Sequence, residues 1–259
     1  MSVANLENKH ILLVEDNVIN QILVQHSLSG YSLQLSVAGD GKRAIELLNK
    51  NYFDLVLMDL HLPDMSGYEI VKYMRKSLHL DTPVFALTAL SMGNEREACI
   101  AAGMNGYIAK PFSKKKLEEE LNKNDTALNP TNTSANPFII GNANTTIDLE
   151  FLFTVAENDM DYVQLMFKTY IDTIPPIIDK MQAQCDAQQW DELQKTAHYT
   201  KSSLSVIKVK QMIEHVVSIE AQCKTKSSLE TIPPKIQTLK ELFQQSKTLL
   251  LQMPLHQPS

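Results

Sequence analysis

Asp54-Leu-Val-Leu-Met-Asp-Leu-His-Leu-Pro-Asp-Met-Ser-Gly-Tyr-Glu69 begins with an unbroken apolar run and halts it on a charge. Leu55 to Met58 has the pattern of a short strand buried on both faces of a parallel sheet. Pro63 and Gly67 prevent the strand from continuing beyond Asp59. An unpaired carboxylate at such a strand end is costly. Either Asp59 caps the following turn, or it belongs to a site, because ligands of open parallel sheets sit at the carboxyl ends of the strands. What other strands deliver to the same edge separates these readings.

Working outward, Ile11 to Val14 is a second buried run and ends in Glu15-Asp16. The pattern predicts a helix over 17–29 stopped by Gly30, an outer strand over 33–37, and a helix opened by Asp40-Gly41. Beyond Asp59 it predicts a helix over 66–76, a strand over 83–87 ending at Thr88, and a helix over 94–102 closed by Gly103. A short strand over 106–109 leads to Lys110-Pro111, and Ser113 caps a last helix to about Leu121. Five strands alternating with five helices define an α/β doubly wound parallel sheet. Right-handed crossovers then align Glu15, Asp16, Asp59, Thr88 and Lys110 along one edge. Three converging carboxylates repel one another unless a cation relieves them. A hard ion with few protein ligands and open water positions points to Mg2+. A carboxylate nucleophile, a metal, a hydroxyl and an ammonium together suit phosphoryl transfer through an acyl phosphate.

Residues 9–122 closely resemble the receiver domain of two-component response regulators. The resemblance is carried by Val14-Glu15-Asp16-Asn17, Met58-Asp59 with Pro63 and Gly67, Thr88-Ala89, and Lys110-Pro111-Phe112. It implies a flavodoxin-like sheet of strand order 2-1-3-4-5 and phosphorylation of Asp59. Mg2+ would be held by Glu15, Asp16, Asp59 and the backbone carbonyl of His61. It further implies that Lys110 contacts the phosphoryl group, that Thr88 and Tyr107 form a switch pair, and that the Lys110–Pro111 peptide is cis. Bulk at His61 and Leu90, two residues beyond Asp59 and Thr88, would hinder an attacking water and prolong the phosphoaspartate.

Residues 123–146, rich in Asn, Thr, Ala and Pro, read as a flexible linker. Phe138-Ile139-Ile140 is its one apolar patch. From Asp148 onward the strand pattern disappears and helical spacing replaces it. Helices are predicted from Asp148, from 162 to 174, from 177 to 188 after a break at Pro175-Pro176, from Trp190 to about Ile207, over 210–224 and over 229–253. Long helices with short loops imply an all-α four-helix-bundle domain over 147–253, with one or two extra short helices. In the Trp190 helix, Leu193, Ala197, Thr200, Leu204 and Ile207 form a core seam. His198 lies one residue off that seam, sharing its face with Gln194, Lys201, Ser202 and Ser205.

Ala197-His198-Tyr199-Thr200-Lys201-Ser202-Ser203-Leu204 resembles the phosphorylated helix of histidine phosphotransfer (HPt) domains. The match extends to Trp190-Asp191 and Ile219-Glu220. The resemblance implies that His198 is a phosphoacceptor and that Lys201 polarises the phosphoryl oxygens, with Gln194 or Ser205 fixing the ring tautomer. It departs from the family at Ser202, where Gly is usual, and at the Lys208 turn, where a small residue is usual.

Composition narrows the function classes. A hydrophobic content of 44% and a charged content of 21% are ordinary for a globular chain. A net charge of −6 without a basic stripe argues against nucleic-acid binding. Cys99, Cys185 and Cys223 follow no disulfide or metal spacing, and no apolar run approaches a membrane span or secretion signal, so a cytoplasmic setting is expected. The combined reading is a phosphorelay protein: Asp59 accepts a phosphoryl group from a histidine kinase, and His198 carries it to or from an aspartate on another receiver. Receiver followed by HPt is the order at the carboxyl end of hybrid sensor kinases, so the chain is readable as the cytoplasmic part of one. No stretch resembles an ATP-binding kinase module. The alternative is a phosphorylation-switched interaction module whose bundle docks partners without carrying phosphate.

Overall fold

The computed structural model describes residues 6–88, 94–122, 139–142 and 145–253. The chain divides into two compact units, Met1–Asn132 and Thr133–Ser259, each with its own core.

In the first unit, β1 (His10–Val14), β2 (Gln34–Ala38), β3 (Leu55–Asp59), β4 (Val84–Thr88) and β5 (Gly106–Ala109) form one sheet of order β2-β1-β3-β4-β5. All neighbouring strands are parallel. The intervening helices are α1 (Val18–Leu28), α2 (Gly41–Lys50), α3 (Gly67–Lys76), α4 (Asn94–Ala102) and α5 (Lys114–Asn122). Residues of β1 and β3 alternate between two apolar clusters. Leu12, Val14, Val56 and Met58 face α2 and α3. Ile11, Leu13, Leu55 and Leu57 face α1 and α5. Burial on both faces explains why these strands read as continuous apolar runs. The cost of the fully buried strands is offset by this two-sided apolar contact, worth about 1.5–3 kcal/mol for each large side chain.

Local chemistry sets the helix starts. Asn17 accepts from the Ile19 amide at 3.0 Å, and Asp40 accepts from the Arg43 amide at 2.7 Å. Ser66 and Glu69 close a reciprocal capping box at the start of α3. Asp64 accepts from the amides of Gly41 and Lys42 at 2.8 and 2.9 Å. This clamps the loop after Asp59 onto the amino end of α2, where the helix dipole favours a carboxylate. Gly67 is required by close approach, since a Cβ there would lie 2.3 Å from the Asp59 carbonyl oxygen.

The second unit is built on four helices: α7 (Met160–Asp186), α8 (Trp190–Ser203), α9 (Lys210–Thr225) and α10 (Ile232–Gln252). They pack as a ring, α7 on α8, α8 on α9, α9 on α10 and α10 on α7. The short α6 (Glu150–Ala156) precedes them. The predicted seam is buried in full: Leu193, Ala197, Thr200 and Leu204 are inaccessible and Ile207 nearly so.

Three features of this unit differ from expectation. Pro175-Pro176 does not break the chain, because α7 runs through both prolines. Tyr170, Ile174, Ile178 and Met181 form one buried stripe across that point, while Pro175 and Pro176 lie off it. Burial of four large side chains outweighs the roughly 3 kcal/mol or more of an interior proline. α8 ends at Ser203 instead of about Ile207. The chain after it forms β8 (Lys208–Val209), which pairs antiparallel with β7 (Thr145–Asp148), itself paired with β6 (Ile139–Asn142). A small three-stranded sheet therefore accompanies the otherwise helical unit. Ile139 and Ile140 belong to it, whereas Phe138 and residues 123–137 lie outside the described residues.

Candidate functional site

The order β2-β1-β3 reverses direction between β1 and β3, so a crevice opens at their carboxyl ends. Glu15 and Asp16 follow β1, and Asp59 is the last residue of β3. One carboxylate oxygen from each lies within 4.8 Å of the others. Lys110, immediately after β5, places its Nζ 2.5 Å from Glu15 Oε2 and 2.6 Å from Asp59 Oδ2. Thr88 is buried at the end of β4, the strand adjacent to β3. The Lys110 amide donates to the Thr88 carbonyl at 2.6 Å, and the Lys110–Pro111 peptide is cis. Four of the five residues named from strand ends alone are thus brought together by their side chains, and Thr88 ends the strand beside Asp59.

The cluster is held from several sides. Glu15 is inaccessible to solvent. Its Oε1 accepts from the Asn17 amide at 3.2 Å and from Asn20 Nδ2 at 3.0 Å. Burial, opposed by Lys110 and reinforced by Asp59, raises the Glu15 carboxyl to about 7. Burial works against the Lys110 charge as well, but Glu15 and Asp59 overcome it and hold its ammonium above the ordinary lysine range. Two buried carboxylates sharing one ammonium remain short of cationic charge, and Asp16 adds a third. Asn20 Oδ1, buried beside Glu15, makes no hydrogen bond with the protein. A carboxylate trio with an unsatisfied buried amide oxygen suits a hydrated hard divalent cation.

His61 donates its amide to Asp59 Oδ1 at 3.0 Å, and it pairs with Ser66 across the loop. Tyr107 lies half-buried on β5, opposite Ala86 of β4, and packs on the α3-side cluster. Leu90 falls outside the described residues.

In the helical unit, His198 is on α8, with 32% of its side chain exposed, enough for an incoming group to reach the ring. Its Nδ1 lies 2.7 Å from Glu220 Oε1, and Lys201 Nζ lies 2.5 Å from Glu220 Oε2. One carboxylate on α9 therefore bridges the two residues that the sequence pairs on α8. Ser205, expected as a candidate to fix the ring, donates instead to the Ser202 carbonyl at 2.7 Å. Nδ1 is held by Glu220. Burial alone would raise the Glu220 carboxyl, but the bonds from His198 and Lys201 lower it to about 2. It is fully ionised at neutral pH.

Sequence reasoning missed Asn20 as part of its site, and it named Glu220 within the Hpt resemblance without giving it a role. Asn20 carried a signal, as a polar residue within the apolar stripe of α1 beside Ile19 and Leu23. Glu220 was visible only as part of a short resemblance, since its partner lies on another helix. His10 has a structural setting: it bonds Ser36 at 2.8 Å and lies tilted against the Phe53 ring.

Two family models divide the chain. Residues 11–122 match the response regulator receiver domain, and residues 165–249 match the Hpt domain. The chain therefore carries a response regulator receiver domain followed by an Hpt domain. Among curated proteins it is 26% identical over 230 residues to the signal transduction histidine-protein kinase BarA of Escherichia coli (strain K12), covering 87% of this chain and 25% of that protein. It is 39% identical over 113 residues to the autoinducer 2 sensor kinase/phosphatase LuxQ of Vibrio harveyi, covering 44% of this chain and 13% of that protein. The chain thus spans a quarter or less of the length of these relatives. Among solved structures, the receiver domain of sensor histidine kinase PA1611 from Pseudomonas aeruginosa, with magnesium in its active site cleft, is 35% identical. That match covers 43% of this chain and 93% of the other, with a TM-score of 0.40. Among the described residues, no helix is long and apolar enough to cross a membrane.

Proposed function

We propose that the chain relays phosphoryl groups between two acceptors, Asp59 in the receiver and His198 in the helical unit. The observation that carries this reading is the convergence of Glu15, Asp16, Asp59 and Lys110 at the β1/β3 crevice. An Asp59 carboxylate oxygen attacks the phosphorus of a phosphohistidine. The O–P bond forms as the N–P bond breaks, and the histidine nitrogen keeps the electron pair. Lys110, already on Asp59 Oδ2, meets the transferred group, and the Thr88 hydroxyl donates to one of its oxygens. Glu15, Asp16, Asp59 and the His61 carbonyl would hold Mg2+, which supplies charge neutralisation when bound. Thr88 and Tyr107, on adjacent strands, serve as the switch pair.

In the helical unit, Nδ1 is engaged by Glu220, which leaves the nucleophilic role to Nε2 of His198. Lys201 stands on the same helix face to receive phosphoryl oxygens. The upstream donor is a histidine kinase, and the downstream acceptor is another receiver's aspartate. The resemblance to hybrid kinases supports a cytoplasmic location. The functional units are taken as residues 9–122 and 147–253, with β6 and the start of β7 adding a strand pairing upstream of the second.

The test is labelling of the full chain by a small-molecule phosphodonor. Acid-stable, base-labile label that requires Mg2+ and disappears in Asp59→Asn is expected. Equal acid-stable label in that variant would show that the acceptor has been misassigned.

A further inference from the structure

The loop between β3 and α3 is closed at its neck and pinned at its tip. At the neck, the Gly67 amide donates to the Leu60 carbonyl at 3.1 Å, and His61 pairs with Ser66. At the tip, the exposed Asp64 reaches across to α2. It accepts from the Gly41 amide through Oδ1 at 2.8 Å and from the Lys42 amide through Oδ2 at 2.9 Å. The first amides of a helix have no partner within it. Here those of Gly41 and Lys42 are served by a side chain from another loop, and that of Arg43 by Asp40. The approach is close: a Cβ on Gly41 would lie 2.2 Å from Met65 Cγ and 3.2 Å from Asp64 Oδ1. Leu62 and Met65, either side of Asp64, pack on the α2–α3 cluster. Burial pushes the Asp64 carboxyl up, but the amides of Gly41, Lys42, Asp64 itself and Met65 outweigh it and hold the group below the ordinary carboxylate range. Asp64 is therefore charged at neutral pH, where the dipole of α2 favours it.

We propose that Asp64 is a positioning residue for the metal, fixing the His61 carbonyl by pinning its loop to the start of α2. This role rests on Mg2+ occupying the Asp59 site. The His61 carbonyl is the one neutral donor beside three carboxylates. Charge draws a carboxylate to the ion, whereas a carbonyl contributes only as far as its position is set beforehand. Mg2+ tolerates little departure from octahedral geometry, so that position matters. A pinned loop already holds the binding conformation. An unpinned loop holds it for a fraction of the time, and the apparent affinity falls by that fraction. The coupling is reciprocal: the factor by which the pin tightens Mg2+ binding is the factor by which Mg2+ tightens the pin. Metal at the Asp59 site is thus felt by the Gly41 and Lys42 amides, which take no part in the ligand set. The amino end of α2 becomes a second place from which metal affinity is set.

Two substitutions in the full, unphosphorylated chain test this role. Asp64→Ala removes both acceptors, and Asp64→Asn keeps one while turning a donor toward the other amide. Mg2+ titration followed by the amide NMR signals of Asp59 and His61 gives the dissociation constant. Asp64→Ala is expected to weaken Mg2+ binding about fivefold, and Asp64→Asn by a smaller factor. Fivefold is the low end of typical couplings, and it applies because the neck bonds and the α3 capping box remain. In the native protein, saturating Mg2+ is expected to slow amide exchange at Gly41 and Lys42 by about the same factor, an effect lost in Asp64→Ala. Exchange in β1 and β3 without Mg2+ reads the stability of the whole unit, which a purely structural contact would lower without moving the dissociation constant. Equal Mg2+ affinity in the native protein and Asp64→Ala would overturn the role of Asp64, as would exchange at Gly41 and Lys42 indifferent to Mg2+. Absence of Mg2+ binding in the native protein would instead overturn the metal site, and the role of Asp64 with it.

Discussion

Replacing Lys110 with Met removes the one ammonium shared by two buried carboxylates, so its effect can be worked from the geometry. Glu15 is inaccessible and Asp59 nearly so, each within 2.6 Å of Lys110 Nζ. Deleting one partner of a buried ion pair costs roughly 3–5 kcal/mol, because the charges left behind are neither solvated nor compensated. The loss depends on pH in a defined direction. Glu15 already titrates near 7, raised from 4.5 by burial, by Asp59 and despite Lys110. A carboxyl with a raised folded-state pKa contributes stability fully present below its unfolded value and lost as pH rises through the folded one. Without Lys110 that pKa rises further, so the variant escapes part of the penalty by protonating Glu15. In metal-free buffer Lys110→Met is therefore expected to lose about 3–5 kcal/mol at pH 8 and at least about 1 kcal/mol less at pH 6. Mg2+ should offset the loss, by about 2.7 kcal/mol at a hundred times its dissociation constant. Amide exchange in β1 and β3 reads this stability directly, because those strands open only with the whole unit. A loss below about 1 kcal/mol at pH 8, or one that does not change with pH, would refute the idea that Lys110 compensates the cluster.

Other outcomes follow from single contacts. Gly67→Ala places a Cβ 2.3 Å from the Asp59 carbonyl oxygen and should destabilise the first unit by about 1–3 kcal/mol, read in the same exchange experiment. Thr88→Ala should slow phosphorylation of Asp59 by about tenfold or more, whereas Thr88→Ser should retain most of the rate. Glu220→Ala should destabilise the helical unit by about 1 kcal/mol at pH 6 after allowance for solvent screening. Because the Glu220 pKa is lowered from 4.5 to about 2, that contribution is present above 4.5 and fades as pH falls toward 2. Fluorescence of Trp190, the one tryptophan, follows it in denaturant titrations at each pH.

The first unit was legible because its signals are local. Each buried strand announces itself as an apolar run, and the residue that ends the run is the candidate site residue: Asp59 after Met58, Thr88 after Leu87, Glu15 after Val14. Parallel topology then fixes their convergence without further information. The second unit was less legible where long-range pairing decides the outcome. β6, β7 and β8 are strands of two to four residues, too short for a period to register, and β8 pairs with β7 some sixty residues away. Pro175-Pro176 is a strong local breaker overridden by burial of the stripe on either side of it. Glu220 has no periodic signature, because its significance lies in the α8–α9 contact.

The central claim is that phosphate resides on two residues of this chain in turn. The most direct measurement is a chase of radiolabel in the full chain, charged by a small-molecule phosphodonor with Mg2+ and supplemented with phosphorylated receivers as alternative donors. Samples are quenched in acid and in base, since acyl phosphate survives the first and phosphohistidine the second. Base-stable label is predicted to appear after acid-stable label, to map to His198, and to be lost in His198→Gln. With the small-molecule donor alone it should also be lost in Asp59→Asn. If His198 takes no label from any of these donors while Asp59 does, the relay is contradicted and the bundle is left as a docking module.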